Sequence, residues 1–421
     1  MFENVVSKIL TAFFYYLKLL HLRIILVKPV YMKKSLFVAI FSFFCIKIFA
    51  QQISSYVYNK NGETLVAATV RNISTNKATI TNGKGYFELN TTSSNDKLSV
   101  EYIGYDTKEI LASSLIKNDT IFINQSSHNL QDVVISNEDK YELVRRIIAK
   151  TKQALPPYCT YNYYFKDFIK IGGKIKYYSD ALVETDFNLN KNNTYLSASR
   201  SLKKIDSTDE KVVGKLKVFE HIDRDFSYSA LFKYYVFIND KKPDIAKNYR
   251  IRIINSSDSL LKISFQPIGK QTSRTQNLMT WFVNKKDSLI REIQLKLLPS
   301  QIGKPAASNL ANKQYWINNE EIFKYEKKDD NLLLNSVYVT QIKNETSRFL
   351  TSFKPFEYQA DEAIIVTNTQ ISNKEIPKSK DKKTYHWYET LQSLGKNYTT
   401  PFWENIYGIQ QTQDEKDFFS R

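Results

Sequence analysis

Residues 81–90 read TNGKGYFELN. Asn82-Gly83, with a second glycine at Gly85, marks a turn. The run behind it places Phe87 and Leu89 on one face, as a half-buried strand requires. Gly83 and Gly85 are expected to serve backbone geometry, because glycine takes positive φ without a steric penalty. The same pattern continues on both sides. NKNGE at 59–63 carries Asn61-Gly62 between the apolar positions Ile53 and Val57 and the run Leu65–Val70. In KLSVEYIGY (97–105), Leu98, Val100 and Tyr102 share one face, Ser99 and Glu101 share the other, and Gly104 supplies a further turn. Thr120–Ile123 adds another short strand. Roughly six or seven strands in about 75 residues predict a small transthyretin- or Ig-like β-sandwich over residues 51–128.

Downstream the period changes. In SNEDKYELVRRIIAKTKQALPP (136–157), Leu143, Val144, Ile147, Ile148 and Ala154 follow helical spacing, Glu138 and Asp139 favour the N-terminal end, and Pro156-Pro157 stops the helix. Four strand pairs then flank tight polar turns: Tyr158–Lys170 with Lys174–Phe187, Tyr249–Asn255 with Leu260–Pro267, Met279–Asn284 with Ser288–Leu298, and Gln314–Tyr325 with Leu332–Lys343. Strands joined so closely must run antiparallel, which predicts a large curved antiparallel sheet. A helix is expected near ALFKYYVF (230–237), an exposed linker over 372–383, and a short helical tail from Tyr385.

The N-terminus reads as export machinery. From Met32, MKKSLFVAIFSFFCIKIFAQQ has two leading lysines, an apolar stretch from Leu36 to Phe49 interrupted by Lys47, and Ala50 ahead of Gln51, the pattern of a signal peptide cleaved between Ala50 and Gln51. Residues 1–31 place Lys18, His21 and Arg23 inside their apolar stretch and are expected to be upstream sequence. Residues 1–50 carry seven Lys/Arg and one Asp/Glu, so their removal lowers the net charge from +17 to about +11. It also leaves Cys159 as the one cysteine, which excludes an intrachain disulfide.

Catalytic signatures are missing. His386 and Glu389 have a zinc-like His-x-x-Glu spacing, but no histidine follows them, and His128 and His221 lie in a linker and a polar stretch. Gly83-Lys84 and Gly395-Lys396 lack the rest of a phosphate loop. Asp223/Asp225 and Asp329/Asp330 read as solvated turns. The lysines are spread through turns rather than gathered in a stripe, which argues against nucleic acid. A membrane barrel fits poorly, because Asn162, Tyr164 and Lys166 share one face of their strand and Tyr161, Tyr163, Phe165 and Asp167 the other.

The sandwich resembles the carboxypeptidase-regulatory-like domain common in exported proteins of Bacteroidetes-type bacteria. The landmarks are the Gly62 turn, AATV, TITNGKGYFEL, YIGY and the closing LQDVVIS. One departure is LVAATV, where the family has Pro-Gly before the alanine, so that turn is expected to be shaped differently. The C-terminal region is similar to the companion domain of proteins described as carboxypeptidase-like regulatory domain-containing, on the strength of ELVRRIIAKTKQALPP, YNYYFKDFIKIGGKIKYYSDALVE, TWFVNKKDSLIREI and FWENIYGI. The sandwich also resembles the N-terminal extension of outer-membrane nutrient receptors, but a plug and a barrel of about 22 strands could not fit in what remains. In the peptidases this sandwich is an accessory to the catalytic domain, so the resemblance implies a module rather than cleavage.

The expected protein is mainly β in six parts: an upstream extension (1–31), a signal peptide (32–50), the sandwich (51–128), a linker (129–137), a β-rich companion domain with its connecting helix (138–371), and a charged linker with an aromatic tail (372–421). It is expected to be an exported, non-enzymatic protein of the periplasm or outer membrane, with no catalytic, cofactor or metal residues. Its expected partner is an envelope lipid, glycan or outer-membrane protein, held on the concave face of the sheet. The alternative is a carboxylate-dependent hydrolase of envelope peptides or glycans.

Overall fold

The structure, a computed structural model, describes residues 51–75, 77–91, 93–115, 119–126, 140–188, 192–204, 249–255, 259–268, 277–308, 312–347, 356–382, 384–385 and 413–420. Seven strands open the chain: β1 (Gln51–Asn59), β2 (Thr69–Asn72), β3 (Ala78–Ile80), β4 (Tyr86–Thr91), β5 (Lys97–Glu101), β6 (Lys108–Leu111) and β7 (Asp119–Ile123). They form two sheets, ordered β4-β1-β7 and β3-β2-β5-β6, whose facing apolar residues include Val57, Phe87, Leu89, Val70, Leu98 and Ile121. β1 and β7 pair in parallel, from Ser55↔Asp119 to Asn59↔Ile123.

Two of the turns are one device used twice. Asn59 accepts at Oδ1 from the amides of Asn61 (3.0 Å) and Glu63 (2.8 Å), and Asn82 accepts from those of Lys84 (2.9 Å) and Tyr86 (3.2 Å). Each loop closes on a glycine at positive φ, 80° at Gly62 and 72° at Gly85, giving a three-residue hairpin with a left-handed last residue. Gly104, at φ 80°, is third in a turn closed by Tyr105 N donating to Tyr102 O (3.0 Å). Gly83 departs from expectation: it does not take positive φ. A Cβ there would lie 2.5 Å from Tyr338 Oη, so the glycine answers a close approach rather than a backbone twist.

The departure in LVAATV also has a structural outcome. Ala67 stands where the family has glycine, and it takes a left-handed φ of 58°. Its amide donates to Thr81 O (2.9 Å), and its carbonyl accepts from Lys324 Nζ. A left-handed alanine costs about 1–2 kcal/mol. Ala67→Gly is therefore expected to raise the unfolding free energy by about 1 kcal/mol, read by chemical denaturation.

Helix α1 (Lys140–Gln153) buries Leu143, Val144, Ile147, Ile148 and Thr151, with Glu142 in its first turn and Lys150 and Lys152 in its last, matching the helix dipole. Twelve strands follow: β8 (Tyr158–Ile171), β9 (Lys174–Asn188), β10 (Asn192–Lys203), β11 (Tyr249–Asn255), β12 (Leu260–Pro267), β13 (Asn277–Asn284), β14 (Ile290–Leu297), β15 (Pro305–Ser308), β16 (Asn312–Lys328), β17 (Asn331–Ser347), β18 (Phe356–Ser372) and β19 (Thr384–Tyr385). They form one antiparallel sheet, ordered β11-β12-β13-β14-β16-β17-β18-β8-β9-β10-β19, with β15 pairing β16 off this path. Helix α2 (Gln413–Ser420) closes the described chain.

Both faces of this sheet are covered. α1 packs on one, joining Tyr161, Tyr163, Phe165, Trp281, Val337 and Ile364 in the main core. Buried Cys159 belongs to that core, and burial pushes its thiol up to about 12. On the other face Ala67 and Ile80 of the sandwich pack with Tyr164, Ile322, Tyr338, Ala363 and Ile365. Residues Gln52–Arg421 thus form one compact unit.

Tyr385, where the helical tail is expected to begin, lies in β19 opposite Thr194; residues 386–412 lie outside the described residues, and 413–420 are helical. β10 would otherwise present unpaired backbone groups at the sheet edge, and β19 satisfies two residues' worth. Ala50, the linker 129–137, the helix expected at 230–237, and His128, His221, Asp223, Asp225, His386, Glu389 and Gly395-Lys396 lie outside the described residues. Asp329 and Asp330 form an exposed turn, as expected.

Candidate functional site

Strand alternation assembles a cavity on the sandwich-covered face. Lys166, Phe168 and Lys170 are every second residue of β8, and they sit opposite Ala363, Asp361 and Gln359 of β18 in register. Tyr338 of β17 is the cross-strand partner of Ala363. These side chains line a space of about 250 Å³, completed by the Asn82–Lys84 turn and by Glu415 of α2. Three pieces far apart in the chain therefore meet there.

The charges around it are largely engaged. Lys166 Nζ donates to Glu415 Oε2 at 2.6 Å, with both side chains almost wholly buried. Asp361 accepts from Tyr338 Oη at Oδ1 (2.9 Å) and from Gln359 Nε2 at Oδ2 (2.5 Å). At the rim Asp414 Oδ2 meets Lys84 Nζ at 3.0 Å and Lys170 Nζ at 3.7 Å, and the Lys84 hydrogen bond holds the Asp414 carboxyl below its ordinary value. Beside the cavity, Arg200 binds Asp180 through both Nε (2.7 Å) and Nη2 (2.8 Å), while Tyr164 and Tyr178 donate to Asp180 Oδ2 at 3.0 and 3.2 Å. Burial works against the Arg200 charge, but its hydrogen bonds to Asp180 raise its pKa all the same.

Burial pushes the Asp361 carboxyl above its ordinary value, against the pull of Thr340, Tyr338, Gln359 and Lys170. A carboxyl raised in the folded state favours folding below its unfolded value, and that contribution is lost as pH climbs through the folded value. The stability of the native protein relative to Asp361→Asn is therefore expected to fall as pH rises above the ordinary aspartate value of about 4. Paired thermal melts measure this, and a flat difference would contradict a raised Asp361.

Of the residues singled out from sequence, Gly83 lines the cavity, while Gly62, Gly85 and Gly104 shape turns of the sandwich. Gln51 begins β1. Sequence reasoning places Lys166 on a mixed strand face without a role and does not single out Asp361 or Glu415. Polar residues at every second position of a strand with a buried opposite face were the available signal, since they indicate a second covering layer. The described cavity lies on the face opposite α1, under the sandwich. Among the described residues no group of three or more His, Cys, Asp or Glu is placed to hold a metal ion.

The sandwich with its paired turns is now a recognisable module. Residues 53–135 match the CarboxypepD_reg-like domain family. No curated protein matches the chain. Among solved structures the chain is similar to a DUF1329 family protein from Desulfovibrio piger, at 12% identity over 55% of this chain and 92% of that one, with a TM-score of 0.23. A LolA superfamily protein from Nitrosomonas europaea follows, at 7% identity over 55% and 94% of the two chains and a TM-score of 0.22. Lipovitellin matches at 8% identity over 59% and 28%, with a TM-score of 0.27. Superpositions this loose assign nothing to the chain. The CarboxypepD_reg-like domain supplies the Asn82–Lys84 wall of the cavity, and the sheet that follows supplies its floor.

Proposed function

We propose that this is a non-enzymatic binding protein of the cell envelope, exported on residues 32–50, whose CarboxypepD_reg-like domain is a fixed cover over a ligand site on the large sheet. The ligand is an envelope component: a lipid, a glycan or part of an outer-membrane protein. One observation carries the reading, namely that the domain, the sheet and α2 each contribute a wall to one cavity. A docked accessory domain that completes a pocket suits binding. Of the three carboxylates lining that cavity, Asp361, Glu362 and Glu415, the first and last are held by protein donors, which suits a supporting role better than general acid-base work.

Cell fractionation followed by purification of the native protein from the envelope tests this. The expected result is an envelope-associated protein carrying a lipid, glycan or protein component. A cytoplasmic protein would overturn the location. Turnover of an envelope peptide or glycan that is abolished by Asp361→Asn or Glu415→Gln would replace binding with the hydrolase.

A further inference from the structure

We propose that the cavity takes a small organic anion, a carboxylate or a phosphate, between Asn82, Lys84 and Lys170, in exchange with the side chain of Asp414. This rests on reading the cavity as a binding site and adds the chemistry of its ligand.

The first support is Asn82, only 7% exposed. Its Oδ1 is committed to the amides of Lys84 and Tyr86, which fixes the orientation of the side-chain amide. Its Nδ2 is buried beside the cavity and has no acceptor among the described residues. Buried donors are nearly always satisfied, so an acceptor from outside the chain is the expected partner.

The second support is the rim. Lys84 and Lys170 converge on one oxygen of Asp414, at 3.0 and 3.7 Å, so the site already receives a carboxylate from its own chain. Lys84 and Asp414 are more than half exposed, and an ion pair so exposed is weak and exchangeable. The deeper pair, Lys166 with Glu415, keeps α2 in place while the outer one opens. Asp361 offers no competing free acceptor, since each of its oxygens takes a donor. The groups that would hold the anion, the Asn82 amide and the Lys84 and Lys170 ammonium groups, are all donors.

The third support is the floor. The Phe168 ring lies between Lys166 and Lys170, whose Nζ atoms are 5.7 and 5.3 Å from its centroid, next to Ala363. That surface suits the carbon part of an organic anion. A space of about 250 Å³ limits the ligand to a molecule the size of a single ring or a short chain.

Isothermal titration of the full chain at low salt, with benzoate, phenyl phosphate and neutral benzyl alcohol as probes, tests the proposal. At least one anion is expected to bind at least about tenfold more tightly than benzyl alcohol. Preference for benzoate assigns carboxylates and preference for phenyl phosphate assigns phosphates, a lipid headgroup among them. Asn82→Asp keeps an acceptor for the turn and removes the donor. It is expected to lose at least about tenfold in affinity, through the lost donor and the added negative charge, with the fold retained by circular dichroism. Asp414→Asn is expected to gain several-fold by releasing the two lysines. Anion binding absent from both the native chain and Asp414→Asn, or undiminished in Asn82→Asp, would overturn the proposal. An uncharged molecule found in the cavity of native protein would overturn the anion while leaving the binding reading intact.

Discussion

Replacing Gly85 with valine is expected to lower the unfolding free energy by about 2–5 kcal/mol, summing a left-handed non-glycine residue and overpacking. Gly85 sits at φ 72°, a region that a β-branched residue avoids. A Cβ there would lie 2.7 Å from Val57 O and 2.9 Å from Thr64 Cγ2. The first of these is backbone in the middle of β1, and it cannot swing aside. Val57 N also donates to Gly85 O at 2.8 Å, so relieving the clash would break a bond that ties the turn to β1. Gly83→Ala is the informative contrast. Its Cβ would clash with the far end of Tyr338 alone, Asp361 Oδ1 being at ordinary contact, 3.9 Å, and the hydroxyl can yield at the cost of its bond to Asp361, about 1–3 kcal/mol. Urea denaturation of the two variants should rank them in that order. Equal losses would mean that the two glycines do the same job and that Gly85 is not conformationally required.

Asp180→Ala is expected to cost about 3–5 kcal/mol, because removing one partner of a buried ion pair leaves the other charge uncompensated. Asp180 is fully buried, and it holds both arms of Arg200 and the hydroxyls of Tyr164 and Tyr178. The loss should spread to α2, because the Arg200 guanidinium lies 4.5 Å from the Phe419 ring centroid and Tyr178 meets that ring edge-on at 4.8 Å. The double variant Asp180→Ala/Arg200→Met removes both charges and is expected to recover most of the loss. Denaturation of the two single variants and the double variant measures the coupling. Additive losses would show that the pair is not the source of the stability.

How much of this was legible in the sequence depended on how local the signal was. Tyr249–Asn255 and Leu260–Pro267 appear in the structure with the same bounds, because a polar turn between two alternating runs fixes a hairpin without outside help. α1 was legible for the same reason, its stripe and flanking charges being contained in one segment. The parallel pairing of β1 with β7 was not, since nothing local couples the first strand to the last. The docking of the sandwich on the sheet was equally hidden. Its contacts run through small or ordinary residues, Ala67 and Ile80, and through Lys324, which reads as a surface lysine until the Ala67 carbonyl is placed above it. The two mixed faces noticed around Tyr161–Asp167 now have a cause: one faces α1 and the other faces the sandwich and α2, so neither could be uniformly polar. Glu415 was the least legible site residue, because an eight-residue acidic helix says nothing of the buried lysine it will meet.

TNGKGYFELN is thus a turn with two duties. Gly85 twists the backbone, while Asn82 and Gly83 let that turn close against Tyr338 and wall the cavity. The most direct test of the cavity as the binding site is native mass spectrometry of protein purified from its own envelope, comparing the natural chain with Ala363→Phe. Ala363 lines the floor on the face opposite α1, so a ring in its place occupies the space and leaves the α1 core untouched. The account predicts a bound component on the natural chain that is lost from Ala363→Phe while the variant still melts cooperatively, about 1–3 kcal/mol less stable from overpacking. Equal occupancy in both would place the ligand elsewhere and contradict it.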